Sequence, residues 1–152
     1  MATARDVAAY ILRQRGPMTA MKLQKLVYYS QAWHLVWDEQ PLFGESIEAW
    51  ANGPVVPELY RAHRGNFRLD AAFDIGGDPD RLTPEQRDTI HAVLDAYGDK
   101  SAHWLSELTH REAPWRDTRG DLDDLQRSNA VITTDSMFEY YDALTEENAD
   151  DV

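Results

Sequence analysis

The stretch Thr19–Trp37, TAMKLQKLVYYSQAWHLVW, decides how the rest of the chain is read. Thr19 can accept a free backbone N–H as an N-cap, and Gly16-Pro17 interrupts whatever precedes it. No further Gly or Pro occurs until Pro41. Apolar residues fall at Met21, Leu23, Leu26, Val27, Tyr28, Tyr29, Ala32, Trp33, Leu35, Val36 and Trp37, which is more than one helical stripe. A helix apolar on most of its circumference is packed by neighbours on several sides. The spacing therefore predicts a central helix over residues 19–37, with Lys22, Gln24, Lys25 and Gln31 placed in the gaps between neighbours.

Elements on either side of this helix follow from local signals. Thr3 and Asp6 form a capping box for a helix to about Arg15, whose Arg13 and Arg15 complement its dipole. The pair of helices across Gly16-Pro17 has the outline of a helix-turn-helix, but the apolar second helix argues against a base-reading face. Loose alternation over Glu45–Ala51 predicts a short strand, and Asn52-Gly53-Pro54 a turn. A helix is expected from Val55 to about His63. A second strand, between Leu69 and Ile75, is expected to pair with Ile47–Ala51. Gly76-Gly77 marks an exposed loop and lacks the spacing of a phosphate loop. Thr83-Pro84-Glu85-Gln86 opens a helix that Gly98 ends. Ser101 caps a short helix through Leu108, Thr109–Trp115 reads as a turn, and a last helix begins near Thr134. The fold class is mainly α with a short β element (α+β), a compact helical domain around residues 19–37. One domain is expected over residues 1–145, followed by an acidic tail over 146–152.

Composition narrows the function. The 152 residues include no Cys, which removes disulfides, thiolate metal sites and cysteine nucleophiles and suits a reducing, cytoplasmic location. No apolar run is long enough to cross a membrane. The net charge is −12. Residues 1–37 carry Arg5, Arg13, Arg15, Lys22 and Lys25 against Asp6 alone, and everything after them is strongly acidic. That acidity opposes non-specific nucleic-acid binding and favours a partner with a basic surface. The candidate acidic contacts are the segments Asp117–Asp124, with Asp121, Asp123 and Asp124, and Asp135–Asp142. The five histidines match no zinc spacing, the aspartates match no calcium loop, and no serine sits in a nucleophile elbow. No catalytic residue, cofactor site or metal site is expected. His110 with Glu112 is the place where a small enzyme would have to begin.

Several of these residues fall into one pattern. Lys22–His34 (KLQKLVYYSQAWH), Leu42-Phe43, Ile47-Glu-Ala-Trp50, Gly53-Pro-Val-Val-Pro57 and Tyr60 together resemble the Panacea domain, also called SocA-like and found in phage-associated GepA-type proteins. The helix at Ser101, the Thr109-His110…Pro114-Trp115 segment and Tyr140-Tyr141 extend the likeness from about Ala4 to Leu144. The resemblance implies an antitoxin of a toxin–antitoxin system, non-enzymatic and prophage-associated, encoded beside its toxin. It implies neutralisation by direct protein binding of a cognate toxin, such as a small alarmone-synthetase-like or other growth-inhibiting enzyme. One branch resembles an adaptor that delivers the toxin to a protease. Members commonly carry extra segments, and the shortness of this chain implies no separate DNA-binding domain. A DNA-binding regulator and a small enzyme remain as alternatives. Candidate partner-binding residues on the motif face are Lys22, Lys25, Tyr29 and His34, beside the acidic set Asp121, Asp123 and Asp124. Leu23, Leu26, Trp50, Gly53 and Pro54 read as a fold signature.

Overall fold

The computed structural model describes residues 1–150, with side chains through Glu146. Helix α1 (Ala4–Arg15) is closed at its start by the Thr3–Asp6 capping box. After strand β1 (Met18–Thr19), helix α2 (Ala20–Asp38) begins where the Thr19 hydroxyl accepts from the Lys22 N–H at 3.1 Å. Strands β2 (Ile47–Trp50) and β3 (Gly53–Val55) form a hairpin that leads into α3 (Pro57–His63). Strand β4 (Arg68–Leu69) and a 3-10 turn (Pro79–Arg81) precede α4 (Pro84–Tyr97), capped by the Thr83–Gln86 box. Helices α5 (Ala102–Arg111) and α6 (Ala113–Arg119), strand β5 (Val131–Ile132) and α7 (Thr134–Asp150) complete the order.

Helix α2 is the axis of the molecule. Helices α1, α4, α5 and α7 pack around it, and β3 covers part of what remains. Leu23, Leu26, Val27, Tyr29 and Ala32 are completely buried, as the all-round apolar pattern requires. The sheet is small: an antiparallel β3-β2-β5 triplet and a separate β1-β4 pair. The architecture is mainly α with a short β element.

Three local expectations are corrected. The strand near Leu69–Ile75 does not join Ile47–Ala51; it shrinks to Arg68–Leu69 and pairs with Met18–Thr19. The partners of β2 are instead β3, with Ala49 opposite Pro54, and β5, with Ile47 opposite Ile132. The helix expected from Val55 begins at Pro57, because Gly53–Val55 is held as a strand and the Val56 N–H bonds to Gln24 Oε1 at 2.9 Å. The segment Thr109–Trp115 is no open turn: α5 continues to Arg111 and α6 starts at Ala113, with Pro114 in its first turn, where a missing N–H costs little. Of the tail expected at residues 146–152, α7 carries the backbone to Asp150. The side chains from Glu147 onward, with Asp151 and Val152, lie outside the described residues.

Candidate functional site

Three polar residues of α2, Gln24, Gln31 and His34, are clamps. Gln24 Oε1 accepts from Val56 N–H at 2.9 Å, while its Nε2 donates to Val56 O at 3.4 Å and lies 3.0 Å from His63 Nε2. The amide thus satisfies a buried backbone segment as a strand would. About two turns further along the helix Gln31 does the same for another loop. Its Oε1 accepts from Leu42 N–H at 2.7 Å and Phe43 N–H at 3.4 Å, and its Nε2 donates to Phe43 O at 2.8 Å. His34 closes the series, with Nδ1 2.6 Å from Gln40 O and Nε2 2.9 Å from Asp38 Oδ2. Each clamp fixes a crossover that has no regular structure of its own at that point.

Beside the clamps lies a buried tyrosine–carboxylate network. Tyr29 and Tyr141 both donate to Glu112 Oε1, at 2.6 and 2.8 Å, and the Tyr28 hydroxyl is 3.0 Å from that of Tyr141. Tyr29 stacks on Tyr97 with ring centres 4.2 Å apart, and Tyr97 accepts from Trp33 Nε1 at 3.0 Å. Burial raises the Glu112 pKa, and the two tyrosine donors partly oppose that shift. Burial also lifts Tyr97 to about 12 and raises Tyr28, Tyr29 and Tyr141 well above the ordinary tyrosine value, so the hydroxyls remain donors. Lys25 is buried nearby and its Nζ has no hydrogen-bond partner; desolvation lowers its pKa to about 7. It lies along Gly53, where a side-chain carbon would come 2.5 Å from Lys25 Cε. The φ of +120° at Gly53 also favours glycine.

The residues expected to meet a partner are thus divided. Lys25, Tyr29 and His34 are buried, and Lys22 is half-buried with Nζ donating to Gly98 O at 2.7 Å. Of the fold-signature set, Leu23 and Leu26 are core, Trp50 is half-buried, and Gly53 and Pro54 shape the β2–β3 hairpin. Asp121, Asp123 and Asp124 are brought together, exposed, on the irregular loop 120–127. Behind them sits buried Arg119. Its guanidinium donates to Ala49 O at 2.9 Å on β2, to Asp123 O at 2.8 Å, and to the carbonyls of Asp124 and Gln126. The same group lies 4.8 Å from the Trp115 ring, which stacks on His110 at 4.0 Å and donates through Nε1 to Trp50 O at 2.8 Å. His110 Nδ1 is 4.0 Å from Asp124 Oδ2, and burial lowers the His110 pKa.

The loop so held displays Leu125, 87% exposed, and Leu122 among the three aspartates. Sequence reasoning found the acids but missed both leucines and the role of Arg119; the doubled Asp-Leu pattern after Gly120 was the available signal. His110 and Glu112 do not form a pair: the one faces Trp115 and Asp124, the other the tyrosines. Among the described residues, no three His, Asp or Glu side chains gather as metal ligands, and no helix is long and apolar enough to cross a membrane.

The family model for the antitoxin SocA-like Panacea domain matches residues 23–116. Antitoxin SocA of Caulobacter vibrioides (strain NA1000 / CB15N) is 31% identical over 127 residues, covering 74% of this chain and 68% of that protein. No solved structure matches the chain. The matched span contains the Gln24 and Gln31 clamps, Lys25, the hairpin at Gly53 and the Tyr29–Glu112 bond, and with these the chain belongs to the SocA-like, Panacea-domain antitoxin family.

Proposed function

We propose that this chain is a non-catalytic antitoxin that silences a cognate toxin by direct protein–protein contact in the cytoplasm, using loop 120–127. The observation that carries this reading is the loop itself. Leu125 is almost fully exposed with three carboxylates beside it, on a backbone that Arg119 fixes in advance. A pre-set loop loses little entropy on docking. Exposed leucine supplies an apolar anchor, and the acids supply steering towards a basic surface. A toxin that acts on RNA or nucleotides has such a surface at its active-site cleft, and covering it blocks the toxin. Lys25, Tyr29 and His34 contribute from inside the fold, by shaping the domain that holds the loop. Half-exposed Lys22 is left as the motif-face residue to compare with it.

A growth assay tests this reading. The neighbouring gene is induced with and without this protein, and with variants carrying Leu125→Ser or reversed charge at Asp121, Asp123 and Asp124. Wild type is expected to restore growth, and both loop variants to lose rescue while keeping a native circular dichroism spectrum. Lys22→Ala is expected to rescue as wild type does. A harmless neighbour, or toxicity indifferent to co-expression, overturns the antitoxin reading. Rescue accompanied by a fall in toxin abundance marks delivery to a protease instead of occlusion.

A further inference from the structure

Helix α2 ends against electrostatic preference. The negative end of a helix dipole favours cations, yet the last turn of α2 carries no Lys or Arg and closes on Asp38 and Glu39. Glu85 and Asp88, three residues apart on α4, face the same place. Together with Trp37, Asp38, Thr89 and Ala92 they line an open groove of about 390 Å³. Among the described residues Glu85 and Asp88 enter no ion pair, and the neighbouring Arg87 turns towards Asp80 and Pro79 O. Of the two histidines near these residues, His34 places Nε2 2.9 Å from Asp38, and His91 on α4 meets the Tyr10 hydroxyl at 2.6 Å. Among the described residues no Lys or Arg pairs with Asp38, Glu85 or Asp88, and acids crowded at a helix C-terminus in this way are a cost that a bound cation relieves.

The apolar part of the groove is equally prepared. Trp37 is 48% exposed, and its inner face stacks on Trp33 with ring centres 5.4 Å apart. Trp33 is in turn fixed by its bond to Tyr97 and by the Tyr141 ring at 5.5 Å. A large indole is thus held open to solvent beside three carboxylates. A guanidinium matches both features, because it stacks on an indole face while its N–H groups fork towards carboxylates.

We propose that the Trp37 groove receives an arginine-bearing segment of the toxin, as a second contact besides loop 120–127. The proposal rests on the antitoxin reading for the identity of the partner, and on the groove alone for its chemistry. A second copy of this chain fits poorly, since it would bring a net charge of −12 against the same acids.

Two binding titrations separate these layers. In the first, octa-arginine peptide is added to the full chain at about 150 mM salt, and binding is followed by calorimetry. Trp37→Ala and the double variant Glu85→Gln/Asp88→Gln are each expected to weaken binding tenfold or more. A control with the same charge change on α7, Asp135→Asn/Glu139→Gln, is expected to stay within twofold. Equal weakening in the control, or no effect of Trp37→Ala, overturns the groove as an arginine site. In the second titration the same proteins meet the purified product of the neighbouring gene. Wild-type binding that the groove variants reproduce overturns this inference and leaves the antitoxin reading standing. No binding by wild type, with the peptide result intact, overturns the assigned partner and the antitoxin reading together. Self-association in sedimentation that Trp37→Ala abolishes assigns the groove to a second copy and also overturns the proposal.

Discussion

Replacing Lys25 by Met removes an amine that nothing in the fold receives, while keeping most of the side chain's volume. The lysine is buried, its Nζ lacks a hydrogen-bond partner, and burial lowers its pKa from 10.5 to about 7. The unfolded chain therefore holds this proton up to about pH 10.5, whereas the folded chain has released it above about pH 7. Between those values the unfolded state binds more protons, so folding stability rises with pH across that window. At about 1.36 kcal/mol per pH unit, the lysine costs the fold roughly 4–5 kcal/mol below pH 7, about 4 at pH 7.5 and about 2 at pH 9. Domains of this size have only about 5–15 kcal/mol in total, so the effect is large. Urea denaturation of the Lys25→Met variant and the parent at pH 6, 7.5 and 9 measures it. The variant is expected to be more stable throughout, with a gain that shrinks as pH rises. A variant no more stable than the parent, or a gain constant from pH 6 to 9, would show a cation compensated in the folded state and refute the reasoning. Rescue in the growth assay with the same variant then separates two roles: unchanged rescue leaves Lys25 as a cost of the fold, and lost rescue at higher stability makes the amine part of neutralisation.

Other substitutions read other parts of the same core. Gln31→Leu strands Leu42 N–H, Phe43 N–H and Phe43 O together, and is expected to cost about 2–4 kcal/mol in urea denaturation. Tyr29→Phe keeps the stack on Tyr97 but removes one of the two donors to Glu112, costing about 1–2 kcal/mol. Because burial holds the Glu112 pKa above its ordinary value, its contribution is full below the unfolded pKa and is lost as pH rises through the folded one. Losing a donor moves the folded value further up, so the Tyr29→Phe deficit is expected to widen from acid to neutral pH, which stability curves at pH 4.5 and 7.5 check. Gly53→Ala meets both a φ of +120° and Lys25 Cε at 2.5 Å, and a loss of about 2–4 kcal/mol is expected from thermal melts.

What the sequence disclosed and what it hid divide along one physical line. Helix starts were legible because caps are local: Thr3 with Asp6, Thr19, Thr83 with Gln86, and Ser101 each act within three residues. Strand partners were not, since alternation names a face and never a neighbour, and β4 and β5 are two residues each. The start of α3 was hidden for the same reason: Val56 is claimed by Gln24, 32 residues away. The motif face suffered most. Lys22, Lys25, Tyr29 and His34 read as a contact face, yet on a helix enclosed by neighbours Tyr29 and His34 turn to internal hydrogen bonds and Lys25 is buried without one, and of the four only Lys22 keeps part of its side chain in solvent. This has a consequence for how the proposed contact surface can vary on one fold. The clamps bind backbone atoms of Leu42, Phe43 and Val56, so they constrain the path of the chain and leave the identity of the surface free. Loop 120–127 lies beyond residues 23–116, the span the family model matches, and its backbone is held by the Arg119 guanidinium and by Gln126, whose Oε1 accepts from Asp123 N–H at 2.7 Å, with no hydrogen bond from the side chain of Leu125, Asp121 or Asp123 among the described residues. Leu125 and the three aspartates can therefore change without disturbing the clamps, and partner choice can drift on a fixed core. Grafting residues 120–127 of a relative onto this chain tests that reasoning: the graft is expected to keep the stability of the parent within about 1 kcal/mol, as for exposed positions, and to lose rescue of this chain's own toxin. A graft that unfolds the domain, or that still rescues, refutes the separation of core from contact surface.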